Sequence, residues 1–319
     1  MSDTIILQQP AERMNEIDQT FDLVYYDPPF GLQRNFTMLE EDGEEKSFSD
    51  HWKSFDDYIT WYAEIINAGY KKLNKDGWMY LHNNFIGNAL VLSHILPEVR
   101  DNFYTNISWK RSGPKNNIKN GWGNIVDSIL VIRKGNPYFD VEYTDLDSKY
   151  EKNSFKNKDN KGYYALAKTT GEKSRVGRMF EYKGYKPQYG WRVSEDMLKE
   201  MDAAKLLHYG KNMLYKKIYL EDSKGVPIQN LWDDVYFISR SEQNKRKYPT
   251  QKPLKLLERI ITSSCPPNGW VLDPFCGSGT TAIAAQLHGR NCITCDVNPQ
   301  SIELVTEATQ NNINLLHFM

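Results

Sequence analysis

The sequence predicts an α/β fold: a mostly parallel sheet covered on both faces by helices, with a smaller segment inserted in its middle. Three observations lead there. Short apolar runs recur along the chain, and helical patterns lie between several of them. The alternation then lapses near residue 136 and resumes near 235, where Lys, Tyr, Asn and Gly dominate and periodicity is weak. With 319 residues, the chain is long enough for one large domain carrying an insertion. The expected division is 1–135 and 236–319 as two halves of one domain, with 136–235 between them.

The strands are expected at TIIL (4–7), FDLVYY (21–26), GWMYLH (77–82), NISW (106–109), SILVIR (128–133), WVLDPF (270–275) and NCITCDV (291–297). A helix follows Ser54, which forms a capping box with Asp57 and precedes Ile59, Tyr62, Ile66, Gly69 and Leu73 on one face. A second helix is PLKLLERIITSS (253–264), with proline in its first turn. A third is GTTAIAAQLHG (279–289), ending at a glycine.

Composition sets bounds on function. Hydrophobic residues make up 40% and charged residues 25%, as in ordinary water-soluble domains. No apolar run spans a bilayer, and the first residues lack a signal-peptide layout, so the chain is expected to be cytoplasmic and not membrane-bound. Cys292 and Cys295 form a C-x-x-C inside a strand-like run, where they are expected to be buried thiols; no metal site is expected. The net charge of −1 gives no global basic field. Local charge is uneven: residues 38–57 hold eight acids and two lysines, and residues 161–192 hold eight basic residues and two acids.

Two motifs carry chemistry. The first is DPPF, at the end of an apolar strand. Asp27 and the Pro28 carbonyl offer acceptors, Pro28 and Pro29 hold the turn rigid, and Phe30 offers a flat face. That set suits an exocyclic amine on a stacked heterocycle, poised for direct displacement on an electrophile. The second is WVLDPFCGSGTTA, a strand, a glycine turn and a helix. Gly277 and Gly279 allow a close ligand approach, and Asp296, 19 residues after Gly277, stands where an acid accepts from ribose hydroxyls. This spacing also fits a dinucleotide fingerprint, so a nicotinamide-dependent oxidoreductase stays open at this point. Asp273-Pro274-Phe275 before the turn favours S-adenosylmethionine instead.

With DPPF and DPFCGSGT in this order, and YPTQKPLKLLERII between the insertion and the glycine turn, the chain resembles the β-class amino-group DNA methyltransferases. The resemblance covers residues 1–135 and 236–319. It implies a circularly permuted class I S-adenosylmethionine-dependent methyltransferase, Rossmann-like, with a mostly parallel seven-stranded sheet and one antiparallel strand. The insertion is then the target-recognition region. Asp27, Pro28, Pro29 and Phe30 are implied for the target base. Asp273, Phe275, Gly277, Gly279, Thr280 and Asp296, with Thr250 and Lys252 at the methionine end, are implied for the cofactor. The run TIILQQPAERM is implied to line the adenine, with Gln8-Gln9 where many relatives have Gly-Asp. GYKPQYGWRVS and KGVPIQNLWDDV resemble the same region of type III modification subunits, which are longer. Arg175, Arg178, Lys183, Lys186 and Arg192 are candidate DNA contacts. The reaction implied is methylation of adenine N6 in a flipped nucleotide, with cytosine N4 or a non-catalytic DNA-binding relative as alternatives. The partner is double-stranded DNA, with a homodimer and a cognate restriction enzyme as further candidates.

Overall fold

The computed structural model describes residues 2–39, 45–114, 116, 118–146, 148–238 and 251–316. Two compact units emerge: residues 1–142 with 228–319, and residues 143–227.

The larger unit is built on one sheet. Its strands are β1 (Thr4–Gln8), β2 (Phe21–Tyr26), β3 (Leu73–Asn83), β4 (Phe103–Lys110), β5 (Val126–Lys134), β6 (Leu231–Trp232), β7 (Trp270–Asp273) and β8 (Asn291–Asp296). They lie in the order β1-β8-β7-β2-β3-β5-β4-β6. All pairings are parallel except those of β5, which runs antiparallel to both β3 and β4. This is the class I methyltransferase sheet in permuted chain order, because the strands nearest the C-terminus, β7 and β8, sit beside β1 and β2.

The expected seven strands become eight. The addition, β6, pairs Leu231 with Ser108 and Trp232 with Trp109 along the β4 edge. Two residues carry too little pattern to be read as a strand. What holds them is long-range: Ser108 N–H donates to the Asn230 carbonyl at 2.8 Å, and Asn230 Nδ2 donates to the Asn106 carbonyl at 2.9 Å. The edge is thereby covered, which removes a pairing surface. A hairpin of Arg34–Leu39 and Glu45–Asp50, also absent from the sequence reading, follows the DPPF loop.

Strand alternation splits the core in two. Val24, Tyr26, Met79, Leu81 and Leu272 pack on one face with Ile59, Tyr62 and Ile66 of helix α1 (Phe55–Lys72). Leu23, Tyr25, Tyr80 and Val271 pack on the other with Leu256, Leu257 and Ile260. These last belong to a helix that follows the short α2 (Phe85–Val91), namely α3 (Leu254–Ser264). Helices α4 (Thr280–Leu287) and α5 (Pro299–Leu316) complete that side, with Ala284 and Val305 in the same cluster. Ser54 caps α1 as its sequence predicts, accepting from Asp57 N–H at 3.1 Å. All four cysteines are buried; Cys292 and Cys295 sit on β8, and burial pushes the Cys295 thiol up to about 12.

Arg259 of α3 ties two remote points of this unit. Its guanidinium, 3% exposed, pairs with Glu142 (Nε to Oε2, 2.9 Å) and Asp234 (Nη2 to Oδ2, 2.6 Å). The Asp234 carboxyl is held below its usual range by the Arg259 hydrogen bonds. Close by, Ile228 N–H donates to the Glu142 carbonyl at 3.0 Å.

The smaller unit has its own antiparallel sheet, 207–209, 214–219, 163–168 and 157–158 in that order. A helix, Glu195–Ala203, is capped by Ser194. The core is Tyr182, Trp191, Leu198, Leu207 and Leu214. Trp191 is fully buried and donates Nε1 to the Phe180 carbonyl at 2.9 Å, so it packs. Among the described residues, no helix is long and apolar enough to cross a membrane.

Candidate active site

Strand β2 ends where DPPF begins, because neither proline can donate to the ladder. The loop then turns at Gly31, whose φ of +67° is left-handed. A Cβ there would stand 2.8 Å from Tyr58 Cδ1, so both conformation and space call for glycine. Two side chains fix the loop. Asp50, 1% exposed, accepts from Gly31 N–H at 3.0 Å and Leu32 N–H at 2.8 Å. Asn84 Nδ2 donates to the Phe30 carbonyl at 3.3 Å, while its own Oδ1 accepts from Gly87 N–H at the start of α2. The sequence reading singled out neither; Asp50 lies 19 residues from Gly31 and has no local signal.

The glycine turn follows β7. Asp296, at the end of β8, accepts from Gly277 N–H at 3.0 Å and from Asn298 N–H at 2.9 Å. Burial pushes its carboxyl up against those bonds. Gly279 (φ +78°) caps α4, and a Cβ on it would stand 2.7 Å from Val305 Cγ2. Its glycine therefore serves the packing of α5 on α4. Asp273 is buried, accepts from Phe275 N–H at 2.9 Å, and is pushed up to about 7, by burial first and then by Asp27 and Asp296.

Both motifs open onto one cleft of about 1060 Å³. Asp27, Pro28, Pro29 and Phe30 line it together with Asp273, Phe275, Gly277, Thr280, Asp296 and Lys252. Lys252 joins the two ends. Its Nζ lies 2.5 Å from Asp27 Oδ2 and 5.5 Å from the centre of the Phe30 ring, and its carbonyl accepts from Thr280 Oγ1 at 3.4 Å. Thr250 lies outside the described residues, as do residues 40–44 of the acidic cluster. On the β1 side the cleft wall is Pro10, Ala11 and Glu12. Gln9 is directed instead to the Cys295 thiol, at 3.7 Å. Of the run TIILQQPAERM implied to line the adenine, Pro10, Ala11 and Glu12 reach the cleft wall, and Gln8 and Gln9 do not.

Residues 21–307 match the family of N6/N4 DNA methylases. The chain belongs to that family. It is 28% identical over 289 residues to the type II methyltransferase M.EcaI of Enterobacter cloacae, covering 86% of this chain and 61% of that protein. It is 26% identical over 290 residues to the DNA adenine methyltransferase YhdJ of Escherichia coli, covering 90% and 75%. The chain thus spans less than two thirds of M.EcaI. The crystal structure of the M1.HpyAVI–SAM complex superposes with a TM-score of 0.50 at 17% identity, over 96% of this chain and 98% of that one, a likeness of fold.

A buried polar chain lies behind Phe30. His82 is fully buried, with Nδ1 2.9 Å from Tyr25 Oη and Nε2 3.3 Å from Asp127 Oδ2. Arg111 Nε lies 2.6 Å from Asp127 Oδ1. Burial alone would raise Asp127; His82, Lys252 and Arg111 outweigh it and hold the carboxyl below its usual range. The five candidate DNA contacts all lie exposed in the smaller unit. Lys183 is bonded to Asp202 and Tyr209, Arg192 pairs with Glu172 at 2.8 Å, and Arg178 Nη1 donates to the Arg192 carbonyl at 3.4 Å. Arg175 and Lys186 make no side-chain bond among the described residues.

Proposed function

We propose that this methylase transfers a methyl group from S-adenosylmethionine to the N6 amine of an adenine flipped out of duplex DNA. One observation carries the reading: the Asp27 loop and the glycine turn share a single cleft. Its volume of about 1060 Å³ lies just above the roughly 300–1,000 Å³ usual for one small ligand, which suits a cofactor and a base together.

The residues fit the donor. Three carboxylates, Asp27, Asp273 and Asp296, crowd the cleft closely enough to raise Asp273, and Lys252 already neutralises Asp27. A site short of positive charge favours a ligand carrying a sulfonium and an ammonium. Gln251, 7% exposed and in the cleft wall, has a buried Oε1 without a partner among the described residues, an acceptor suited to an ammonium. When bound, S-adenosylmethionine supplies an electrophilic methyl carbon.

The chain's own residues then act on the amine. Lys252 holds Asp27 Oδ2, which fixes the carboxylate plane and leaves Oδ1 to accept one N6 hydrogen. The Pro28 carbonyl accepts the other. Phe30, backed by His82 at a centroid distance of 6.0 Å, stacks on the base. Together these aim the nitrogen lone pair and draw the departing proton towards Asp27, with alignment supplying much of the rate. Adenine over cytosine is supported by aspartate at the first position of DPPF, as the family resemblance implies, and by the likeness to YhdJ, a named adenine methyltransferase. In the smaller unit, Arg175 and Lys186 are among the cations without a side-chain partner among the described residues, available for phosphate, and binding through them falls as salt rises.

The test is Asp27→Ala. Incorporation of labelled methyl into DNA is expected to fall below detection, with S-adenosylmethionine affinity by calorimetry changed less than about tenfold. Turnover within tenfold of wild type would end this assignment.

A further inference from the structure

Trp122 is the most exposed large hydrophobic side chain among the described residues, at 102% of its reference area. It sits on the loop 111–125, between β4 and β5, flanked by Gly121 and Gly123. This loop is part of the active-site wall. Arg111, Ser112 and Asn124 line the cleft with Phe30, as do Trp109 and Asp127 at the strand ends that carry it. Its base is closed by Arg111 N–H to the Ile125 carbonyl at 3.0 Å and by Val126 N–H to Asn124 Oδ1 at 3.3 Å. On one side it meets the chain after β6: a Cβ on Gly113 would stand 3.6 Å from the Phe237 ring, and Phe237 also lines the cleft.

The charge of the loop is as one-sided as its exposure. Residues 110–126 hold Lys110, Arg111, Lys115 and Lys119 and no acid, in a chain whose net charge is −1. A fully exposed indole buries nothing within the described chain, so its whole face is available to a partner. Arg111 is already paired with Asp127, and phosphate satisfies Lys110 and Lys119, while base pairs satisfy the ring. A loop that reaches DNA here does so beside the pocket that takes the extruded nucleotide. Extrusion leaves a gap one base wide in the stack, and apolar side chains inserted between base steps are a known way to offset unstacking.

We infer that Trp122 enters the duplex and fills the place vacated by the target nucleotide. This rests on the reading of the chain as a base-flipping methylase and adds the residue that stabilises the flipped state. Trp122 packs on no other side chain among the described residues, so Trp122→Ala is expected to leave the fold intact.

The substrate is a duplex bearing the sequence found methylated in cells that produce the chain. A second duplex places an abasic site opposite the same target, so that no pairing opposes extrusion. Trp122→Ala is expected to lower kcat/KM about ten- to hundredfold on the paired duplex and less than threefold on the unpaired one. Trp122→Phe should retain most of the activity on both. With 2-aminopurine at the target position, fluorescence should rise on binding wild type and stay low with Trp122→Ala. Equal losses on both duplexes, or no loss on either, would remove the wedge while leaving the methylase reading in place. A wild-type chain that methylates no duplex would remove the methylase reading itself.

Discussion

At the scale of single residues, Asp273 links burial to pH. Its carboxyl titrates near 7 in the folded chain and near 4 when unfolded, so the folded state holds the proton more tightly. The sign is the reverse of that of a salt-bridged acid. Stability from this group is complete below about pH 4, falls as pH rises towards 7, and is level above; the span is roughly 4 kcal/mol. Asn at this position keeps an acceptor for Phe275 N–H without the charge. Denaturant titrations should therefore show Asp273→Asn gaining on wild type as pH rises from 5 to 8. The negative charge gained as the proton leaves also serves a cationic donor, so S-adenosylmethionine affinity of the wild type should rise through pH 7 and that of Asp273→Asn should not. A stability difference that is independent of pH would contradict this account.

At the scale of elements, Gly279 shows how one backbone position sets a helix pair. Alanine there meets a left-handed φ and a Val305 methyl at 2.7 Å. We expect Gly279→Ala to cost about 1–3 kcal/mol in urea unfolding, through displacement of α5 from α4. A variant as stable as wild type would show that α5 yields freely. The glycine turn was legible because its signal is local: an apolar strand, two glycines and a helix in seventeen residues. DPPF was legible for the same reason. The supports of the DPPF loop were not, since Asp50 and Asn84 reach it from separate elements. Lys252 shows the same limit. The resemblance places it at the methionine end, and the fold puts its ammonium on Asp27, 225 residues away in sequence. Strand β6 and the 34–50 hairpin were missed because they are short or polar, and long-range pairing overrode weak propensity.

At the scale of the whole molecule, the inserted unit departs after Glu142 and returns at Ile228, two residues joined by a backbone hydrogen bond of 3.0 Å. Its own sheet and core lie within residues 143–227. Replacing those residues with a short Gly-Ser linker closes a loop whose ends already meet, at little entropic cost. The shortened chain is expected to fold and to bind S-adenosylmethionine within about tenfold of wild type, with DNA binding lost. Failure of calorimetry to detect the donor in a folded, shortened chain would show that the excursion supports the cleft.

The Arg259 clamp bears on the same gap. One side chain of α3 grips Glu142 on one bank and Asp234 near the other, where residues 143–227 leave and re-enter the larger unit. The frame is pinned across its own opening, so its closure does not rest on whatever is spliced between the banks.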